Sequence, residues 1–158
     1  MIKPIITDRA ILKRPSEKVS PEDNIKSIIQ DLKDTIASQP HSIGLSAPQI
    51  GIQKRVCIVR LPAGINQETK KVEFTEKILI NPIITSKDKL VQLKGEGCSS
   101  FVGISVNTDR YIYITLEYLD ETLKLQAGCM QDWESFAVQH ETDHLNGILL
   151  FDRKHKAR

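Results

Sequence analysis

The sequence has few cysteines, no long hydrophobic run and no excess of charge of one sign. Its three cysteines, Cys57, Cys98 and Cys129, form no C-x-x-C pair and are odd in number, which argues against a disulfide framework and favours a reducing compartment. No stretch approaches the roughly 18 apolar residues typical of a membrane span. The formal net charge of +2 is close to neutral for 158 residues, so composition does not point to nucleic acid or a membrane surface as a partner.

Targeting signals, repeats and low-complexity tracts are also missing. The opening segment, MIKPIITDRA, has neither the apolar core of a signal peptide nor the Arg- and Ser-rich composition of a transit peptide. We therefore expect a cytoplasmic protein whose mature chain begins near Met1. A chain of this length fits one domain, which we predict to span residues 1–158.

The first predicted helix begins with a capping pattern. Ser20 is expected to be the N-cap, Pro21 the first helical residue and Asp23 the closing residue of a capping box. Pro40 is expected to end the helix. Apolar residues then recur at helical spacing, and they predict one buried face formed by Ile25, Ile28, Ile29, Leu32 and Ile36.

A second helix is predicted over residues 132–146, with Asp132 as its cap and Gly147 as the left-handed residue after its end. The polar run 64–76 is interpreted as a loop or hairpin. Two helices separated by strands, without βαβ alternation, predict an α+β fold in which short antiparallel strands pack around the second helix. The strands are predicted at 55–61, 77–84, 111–118 and 123–127, the last two paired across a turn at Asp120 and Glu121.

The second predicted helix carries the pattern H-E-x-x-H, from His140 to His144. Residues four apart lie on one helical face, so both imidazoles can reach one metal ion. Glu141 then lies beside the ion, where it can take a proton from a water molecule. The alternative is a pair of polar histidines on a solvated face, and the rarity of the pattern argues against it.

A catalytic ion of this kind takes three protein ligands and keeps one position open. The metzincin extension of the motif needs histidine at Leu150, and no glutamate follows His144. The third ligand must therefore come from upstream. Cys98, among glycines and polar residues, is the strongest candidate, whereas Cys57 and Cys129 fit the usual role of a cysteine as a small core residue better.

Three motifs occur in a fixed order: SIGLSAPQ at 42–49, EGCSS at 96–100 and QHETDHLNG at 139–147. They resemble the motifs G-x-G-L-[AS]-A-x-Q, E-G-C-[LI]-S and Q-H-E-x-D-H-L-x-G of the peptide deformylase family. The resemblance covers about residues 5–153. It implies an enzyme that removes the formyl group from N-formylmethionyl nascent chains and releases formate.

The resemblance also implies a role for individual residues. Glu141 would be the general acid/base, and Gln49 and the backbone N–H of Ser99 would donate hydrogen bonds to the oxyanion. The metal would be one divalent ion, physiologically Fe²⁺, although a thiolate and two imidazoles also suit Zn²⁺, Ni²⁺ or Co²⁺. Its ligands would be Cys98, His140 and His144. Substrate-binding positions would be Ile43, Gly44, Gly97, Trp133 and Phe136. For Trp133 and Phe136 the alternative is that they are core residues.

The sequence departs from the family at several positions. Ser42 replaces a glycine along the bound peptide, and Ser99 replaces a Leu or Ile in the wall of the methionine pocket. Val102 stands where the family often has proline. The C-terminal helix of longer bacterial members, implicated in ribosome docking, is reduced to residues 154–158. Arg110 is expected to pair with Glu96 or Asp143, with a surface charge as the alternative.

Two rival functions stay open at this stage. One is a metallopeptidase that uses the same helix. The other is a binding module with a closed structural metal site, which would need neither Glu141 nor Gln49. As partners we expect N-formylmethionyl peptides. The ribosome is a second expected partner, in a contact that does not use the family's C-terminal docking helix. We expect no membrane, no specific nucleic acid and a monomeric chain.

Overall fold

The computed structural model describes residues 1–157. Its elements follow one another as a short helix, a longer helix, a sheet of five strands with one 3₁₀ turn after the first, a third helix and a final 3₁₀ turn. The helices are α1 (Arg9–Leu12), α2 (Ile25–Ala37) and α3 (Asp132–Leu145), the strands β1 (Gly44–Ser46), β2 (Val56–Ile65), β3 (Val72–Gly97), β4 (Ser105–Leu119) and β5 (Leu125–Gln131), and the 3₁₀ turns Ala47–Ile50 and Leu150–Arg153.

The sheet is antiparallel throughout and its strands lie in chain order, β1-β2-β3-β4-β5. Strand β3 has 26 residues and serves two partners. Its first part, up to Ile80, pairs with β2, and its later part, up to Gly97, pairs with β4. Shifts of register within β3 bend the strand between these two pairings, as β-bulges do.

Helices α2 and α3 cover opposite faces of the sheet. Alternate residues of β2 point to opposite faces, and Val56 and Ile58 belong to the apolar cluster under α2, while Cys57 and Val59 belong to the cluster under α3. Both clusters are almost completely buried. This explains why the start of β2 is a continuous apolar run and not an alternating one.

The observed architecture confirms the predicted α+β class, since the structure has an antiparallel sheet and few helices. The predicted hairpin is also present, because β4 and β5 pair from Leu119 and Leu125 outward. The run 64–76 is a hairpin too, formed by the ends of β2 and β3. Gly147 has a φ of 71°, as predicted for the residue after α3. No helix of the described part, residues 1–157, is long and apolar enough to cross a membrane.

The predicted start of the first helix was wrong. Helix α2 begins at Ile25, and Asn24 is its N-cap, accepting a hydrogen bond from the backbone N–H of Ser27. The carboxylate of Asp23 instead accepts the backbone N–H of Ser20 and pairs with Lys54 at 3.1 Å. Asp23 thus makes the bond to Ser20 that a capping box requires, but in a turn that comes before α2 and not at its first residues.

Other helix and strand boundaries also needed correction. Helix α2 ends at Ala37 and not at Pro40, and Asp132 is the first residue of α3, whose N-cap is Gln131. The strands are longer than predicted, because β3 and β4 continue through polar residues that lie on a solvated face. Strand β1 and the 3₁₀ turn after it were not predicted, since three or four residues carry too little periodic pattern.

Candidate active site and metal centre

Helix α3 places two imidazoles and one carboxyl group at the floor of a cleft. His140 and His144 are one helical turn apart, and their rings meet edge to face with Nε2 atoms 3.2 Å from each other. Glu141 lies beside them with 3 % of its surface exposed. Nine of the fourteen helix residues are buried, so the packing of α3 between sheet and loops fixes this arrangement.

Cys98 joins the two histidines from the other side. It directly follows β3, and its Sγ lies 3.4 Å from Nε2 of His144. The candidate ligand atoms of Cys98, His140 and His144 all lie within 4.8 Å of one another, and within residues 1–157 no other such group of three is found. Bonds of about 2.1 Å to nitrogen and about 2.3 Å to sulfur, at tetrahedral angles, place ligand atoms about 3.3–3.6 Å apart. The three residues therefore fit a metal ion.

A buried ion-pair network supports His140. Its Nδ1 lies 3.1 Å from the carboxylate of Glu96, and Arg110 donates two hydrogen bonds of 2.8 Å to the same carboxylate. Burial alone would raise the pKa of Glu96, but the hydrogen bonds from Arg110 and His140 outweigh it and lower the pKa to about 2. Arg110 also contacts Asp143 at 2.6 Å, so it pairs with both acids, where the sequence led us to expect one or the other. Ligating histidines are commonly oriented by carboxylates in this way.

The environment of the remaining groups suits proton transfer and metal binding. Burial raises the pKa of Glu141 to about 7, close to the value that general acid/base chemistry uses at neutral pH. Burial lowers the pKa of His144 well below its usual range, which keeps its imidazole neutral and able to ligate. A side chain at Gly44 would collide with Glu141, since a Cβ there would lie 2.4 Å from Oε1. Glycine at this position is what lets the carboxyl group approach β1.

Gln49 enters the site from the 3₁₀ turn after β1. Its side chain is 1 % exposed, and its Nε2 lies 3.1 Å from Oγ of Ser100 and 3.5 Å from Sγ of Cys98. The backbone carbonyl of Gln49 accepts the N–H of Ile6 at 2.8 Å, so the N-terminal segment holds this turn in place. The predicted oxyanion donor and the predicted thiolate ligand are therefore neighbours.

Gln49, Cys98, His140 and Glu141 face a cleft with a volume of about 660 Å³. Ser42 and Ser99 line it with their hydroxyl oxygens 3.4 Å apart. Trp133 is 62 % exposed, and its ring meets that of Phe136 edge to face with centroids 5.9 Å apart. Trp133 is therefore not a core residue. Of the predicted site residues, only His144 does not reach the cleft wall; those that do are Ile43, Gly44, Gln49, Gly97, Cys98, Ser99, Trp133, Phe136, His140 and Glu141.

A family model described as polypeptide deformylase matches residues 2–158 of the sequence. The chain belongs to the polypeptide deformylase family. The family is metal-dependent and acts in N-terminal processing during protein biosynthesis. The chain is a hydrolase of the deformylase class. The peptide deformylase of Chloroflexus aurantiacus is similar to it, with 36 % identity over 156 residues, covering 92 % of this chain and 81 % of the relative.

Solved deformylase structures share the fold. The Thermotoga maritima peptide deformylase superimposes with a TM-score of 0.85 at 27 % identity, covering 99 % of each chain. The class I type b peptide deformylase from Acinetobacter baumannii, solved with Met-Ala-Ser bound, gives a TM-score of 0.83 at 27 % identity, covering 97 % of this chain and 98 % of that one. The resemblance inferred from three motifs therefore extends over the whole deformylase fold.

Some residues at the deformylase site were not singled out from the sequence. Ser46 and Ser100 contact the side chain of Gln49, and Phe101 packs with Leu149 and Leu150 behind the Cys98 loop. Ser46 and Gln49 are three residues apart, the spacing of a capping box, and that signal was readable. Nothing in the sequence placed Ser100 or Phe101, because their partners are about 50 residues away.

Proposed function

We propose that this chain removes the formyl group from the N-terminus of N-formylmethionyl peptides and releases formate. The observation that carries the proposal is the grouping, in one cleft, of three candidate metal ligands, the buried carboxyl group of Glu141 and the amide of Gln49. The bound Met-Ala-Ser of the Acinetobacter baumannii structure, a peptide that begins with methionine, supports this substrate class.

Cys98, His140 and His144 would hold one divalent ion, which we propose to be Fe²⁺ under physiological conditions. When bound, the metal would activate water and polarise the formyl carbonyl group. A thiolate with two imidazoles also accepts Zn²⁺, Ni²⁺ or Co²⁺. Cys98 and His140 line the cleft, where a substrate can approach, together with Glu141 and Gln49.

The residues around the ligands would divide the remaining work. Glu141 takes a proton from the attacking water and returns it to the departing amine. Nε2 of Gln49 and the backbone N–H of Ser99 donate to the formyl oxygen as negative charge develops on it, and each such donor contributes a few kcal/mol. Trp133 and Phe136 form an aromatic wall, and the backbone of Ile43, Gly44 and Gly97 lies along the peptide.

We propose that residues 1–158 act as a single catalytic domain, as a monomer in the cytoplasm. All three candidate ligands, Glu141 and Gln49 come from one chain, so no second copy is needed to complete the site. The substrate would be the nascent polypeptide chain.

A formate-release assay on formyl-Met-Ala tests the reaction. We expect formate without cleavage of internal peptide bonds, which separates a deformylase from a metallopeptidase. Glu141→Gln should retain the metal yet lose about 10²–10⁴-fold in kcat, because it removes proton transfer while keeping the packing against Gly44. Near-normal turnover of this variant, or absence of formate from the metal-loaded native protein, would contradict the mechanism.

Metal analysis after anaerobic purification tests the ligand set. Cys98→Ser should lose bound metal, because it removes the thiolate. Cys129→Ser is the matched control, since Cys129 is exposed and lies on β5, away from the ligand cluster. Unchanged metal content in Cys98→Ser would overturn the assignment.

A further inference from the structure

The side-chain amide of Gln49 is held at its oxygen end by a single residue, Ser46. Oε1 of Gln49 accepts the backbone N–H of Ser46 at 3.0 Å and the Ser46 hydroxyl, also at 3.0 Å. Ser46 is fully buried and Gln49 is 1 % exposed, so no bulk water competes for these bonds. Ser46 ends β1, and its partner Cys57 on β2 keeps it in register with the sheet.

These contacts determine which way the amide faces. A backbone N–H can only donate, so the atom next to Ser46 must be the amide oxygen, and the Ser46 hydroxyl must donate to that oxygen as well. The NH₂ group is therefore on the opposite side, near Cys98. One of its hydrogens is directed at Oγ of Ser100, 3.1 Å away, and the other is left for the side that Cys98 occupies.

We propose that Ser46 is a positioning residue for the reaction: its hydroxyl and N–H together hold the Gln49 amide with its N–H toward the oxygen of the scissile formyl group. This inference rests on the proposed function, in which Gln49 is an oxyanion donor. A hydrogen-bond donor that is already oriented need not reorganise when negative charge develops on the substrate oxygen. It therefore stabilises the transition state more than a mobile donor would.

The backbone N–H alone does not secure this orientation. The Ser46 hydroxyl donates its single hydrogen to Oε1 and so supplies the second of the two bonds from Ser46 to this oxygen. With alanine at this position, one of the two bonds to Oε1 would be lost and the amide could rotate about its last torsion, which has a broad energy profile. Ser46 thus acts through Gln49 and does not itself touch the substrate.

Kinetics of a double-mutant cycle test the inference. Ser46→Ala should lower kcat for formyl-Met-Ala about 3- to 10-fold, the size of one neutral hydrogen bond, with KM and metal content unchanged. In a Gln49→Ala background, where kcat is already about 10²–10³-fold lower, the same change should have no further effect. Ser16→Ala is the control, because it removes a buried hydroxyl that has no hydrogen-bond partner.

The cycle separates the outcomes. An equal loss from Ser46→Ala in both backgrounds, or no loss in the native background, would overturn the positioning role. Side-chain amide exchange followed by NMR gives a readout without turnover: we expect the Gln49 NH₂ signals to exchange with solvent more slowly in the native protein than in Ser46→Ala. Equal exchange would overturn the inference, whereas absence of formate release by the native protein would overturn only the proposed function.

Discussion

Two hydroxyl groups in the cleft wall give this site a polar patch close to Cys98. Ser42 donates to the backbone carbonyl of Gly44 at 2.8 Å, and its oxygen lies 3.4 Å from that of Ser99. Both side chains line the cleft and are half-buried. An apolar substrate side chain that packs against them gains less from burial than it would against leucine or isoleucine.

Ser99→Leu should therefore sharpen the preference for formyl-Met over formyl-Ala peptides. One methylene-sized contact is worth about 1–3 kcal/mol of discrimination, roughly 10- to 200-fold. The effect should be seen in kcat/KM for the methionine substrate, since the substitution leaves the backbone N–H and the metal ligands in place. The measurement is the ratio of the two kcat/KM values in both proteins. An unchanged ratio would mean that Ser99 does not contact the first side chain of the substrate.

At the level of elements, the contact between β1 and α3 sets the position of the acid/base. A Cβ on Gly44 would lie 2.4 Å from Oε1 and 2.8 Å from Cγ of Glu141, too close for either atom. Because Gly44 lies in β1, paired with Val59 of β2, the backbone cannot retreat without loosening the sheet. The Glu141 side chain is the part that must move.

Gly44→Ala should consequently reduce kcat by about 10²-fold, the size expected for a displacement of roughly 1 Å in a catalytic group. Metal content should stay unchanged, because the three atoms nearest to a Cβ at position 44 all belong to Glu141 and none to a ligand residue. Formate release and metal analysis on the same preparation provide the check. Gly128→Ala, on β5 with open space around the new methyl group, is the control. Native-like kcat in Gly44→Ala would show that Glu141 has room to shift without losing function.

The turn between β4 and β5 depends on one carboxylate. Asp120 accepts hydrogen bonds from the hydroxyl and N–H of Thr122, from the N–H of Lys124 and from the amide of Gln126. The Thr122 hydroxyl contributes most, and together these donors lower the pKa of Asp120 to about 2. The unfolded chain binds the proton more tightly, so this stabilisation is present above about pH 4 and is lost as the pH falls toward 2.

Asp120→Asn should therefore lower the free energy of unfolding most at neutral pH. The difference from the native protein should be constant between about pH 5 and 7 and should shrink below about pH 4. Urea unfolding at several pH values gives this difference, in which effects common to both proteins cancel. Glu121→Gln removes a neighbouring charge but none of the four hydrogen bonds. A difference that grows on acidification would contradict the assigned role of Asp120.

On the scale of the whole molecule, one buried guanidinium connects sheet, helix and C-terminal segment. Arg110 of β4 binds Glu96 of β3 and Asp143 of α3, and Asp143 also pairs with Arg153 of the final 3₁₀ turn. Arg110 is 2 % exposed, so its charge is balanced only by these acids. The same network therefore stabilises the fold and, through Glu96, holds the candidate metal ligand His140 in place.

Arg110→Met should cost about 3–5 kcal/mol of unfolding free energy, because it removes the buried cation of Glu96 and leaves Asp143 with Arg153 alone. It should also lower metal content, since Glu96 would no longer be held against His140. Denaturant unfolding and metal analysis measure the two effects. Arg153→Met, which contacts the same Asp143 from a more exposed position, should cost much less. Equal losses in the two variants would argue against the central place of Arg110.

The sequence by itself determined those features that depend on near neighbours along the chain. The spacing of His140 and His144 put both rings on one face of α3, because the helical repeat alone decides this. The same holds for Gly147 after the helix and for the β4–β5 hairpin. The three motifs were also sufficient for the family, and the succession of helices and strands was sufficient for the α+β class.

Only the tertiary structure decided which distant groups meet. Lys54 pairs with Asp23 from another segment of the chain. Cys98 and His144 meet although they are 46 residues apart. The contacts of Ser46 and Gly44 with Gln49 and Glu141 need β1 to lie beside both. A local sequence pattern depends only on interactions between a few adjacent residues. These contacts instead depend on the burial of the two apolar clusters, to which residues from the whole chain contribute.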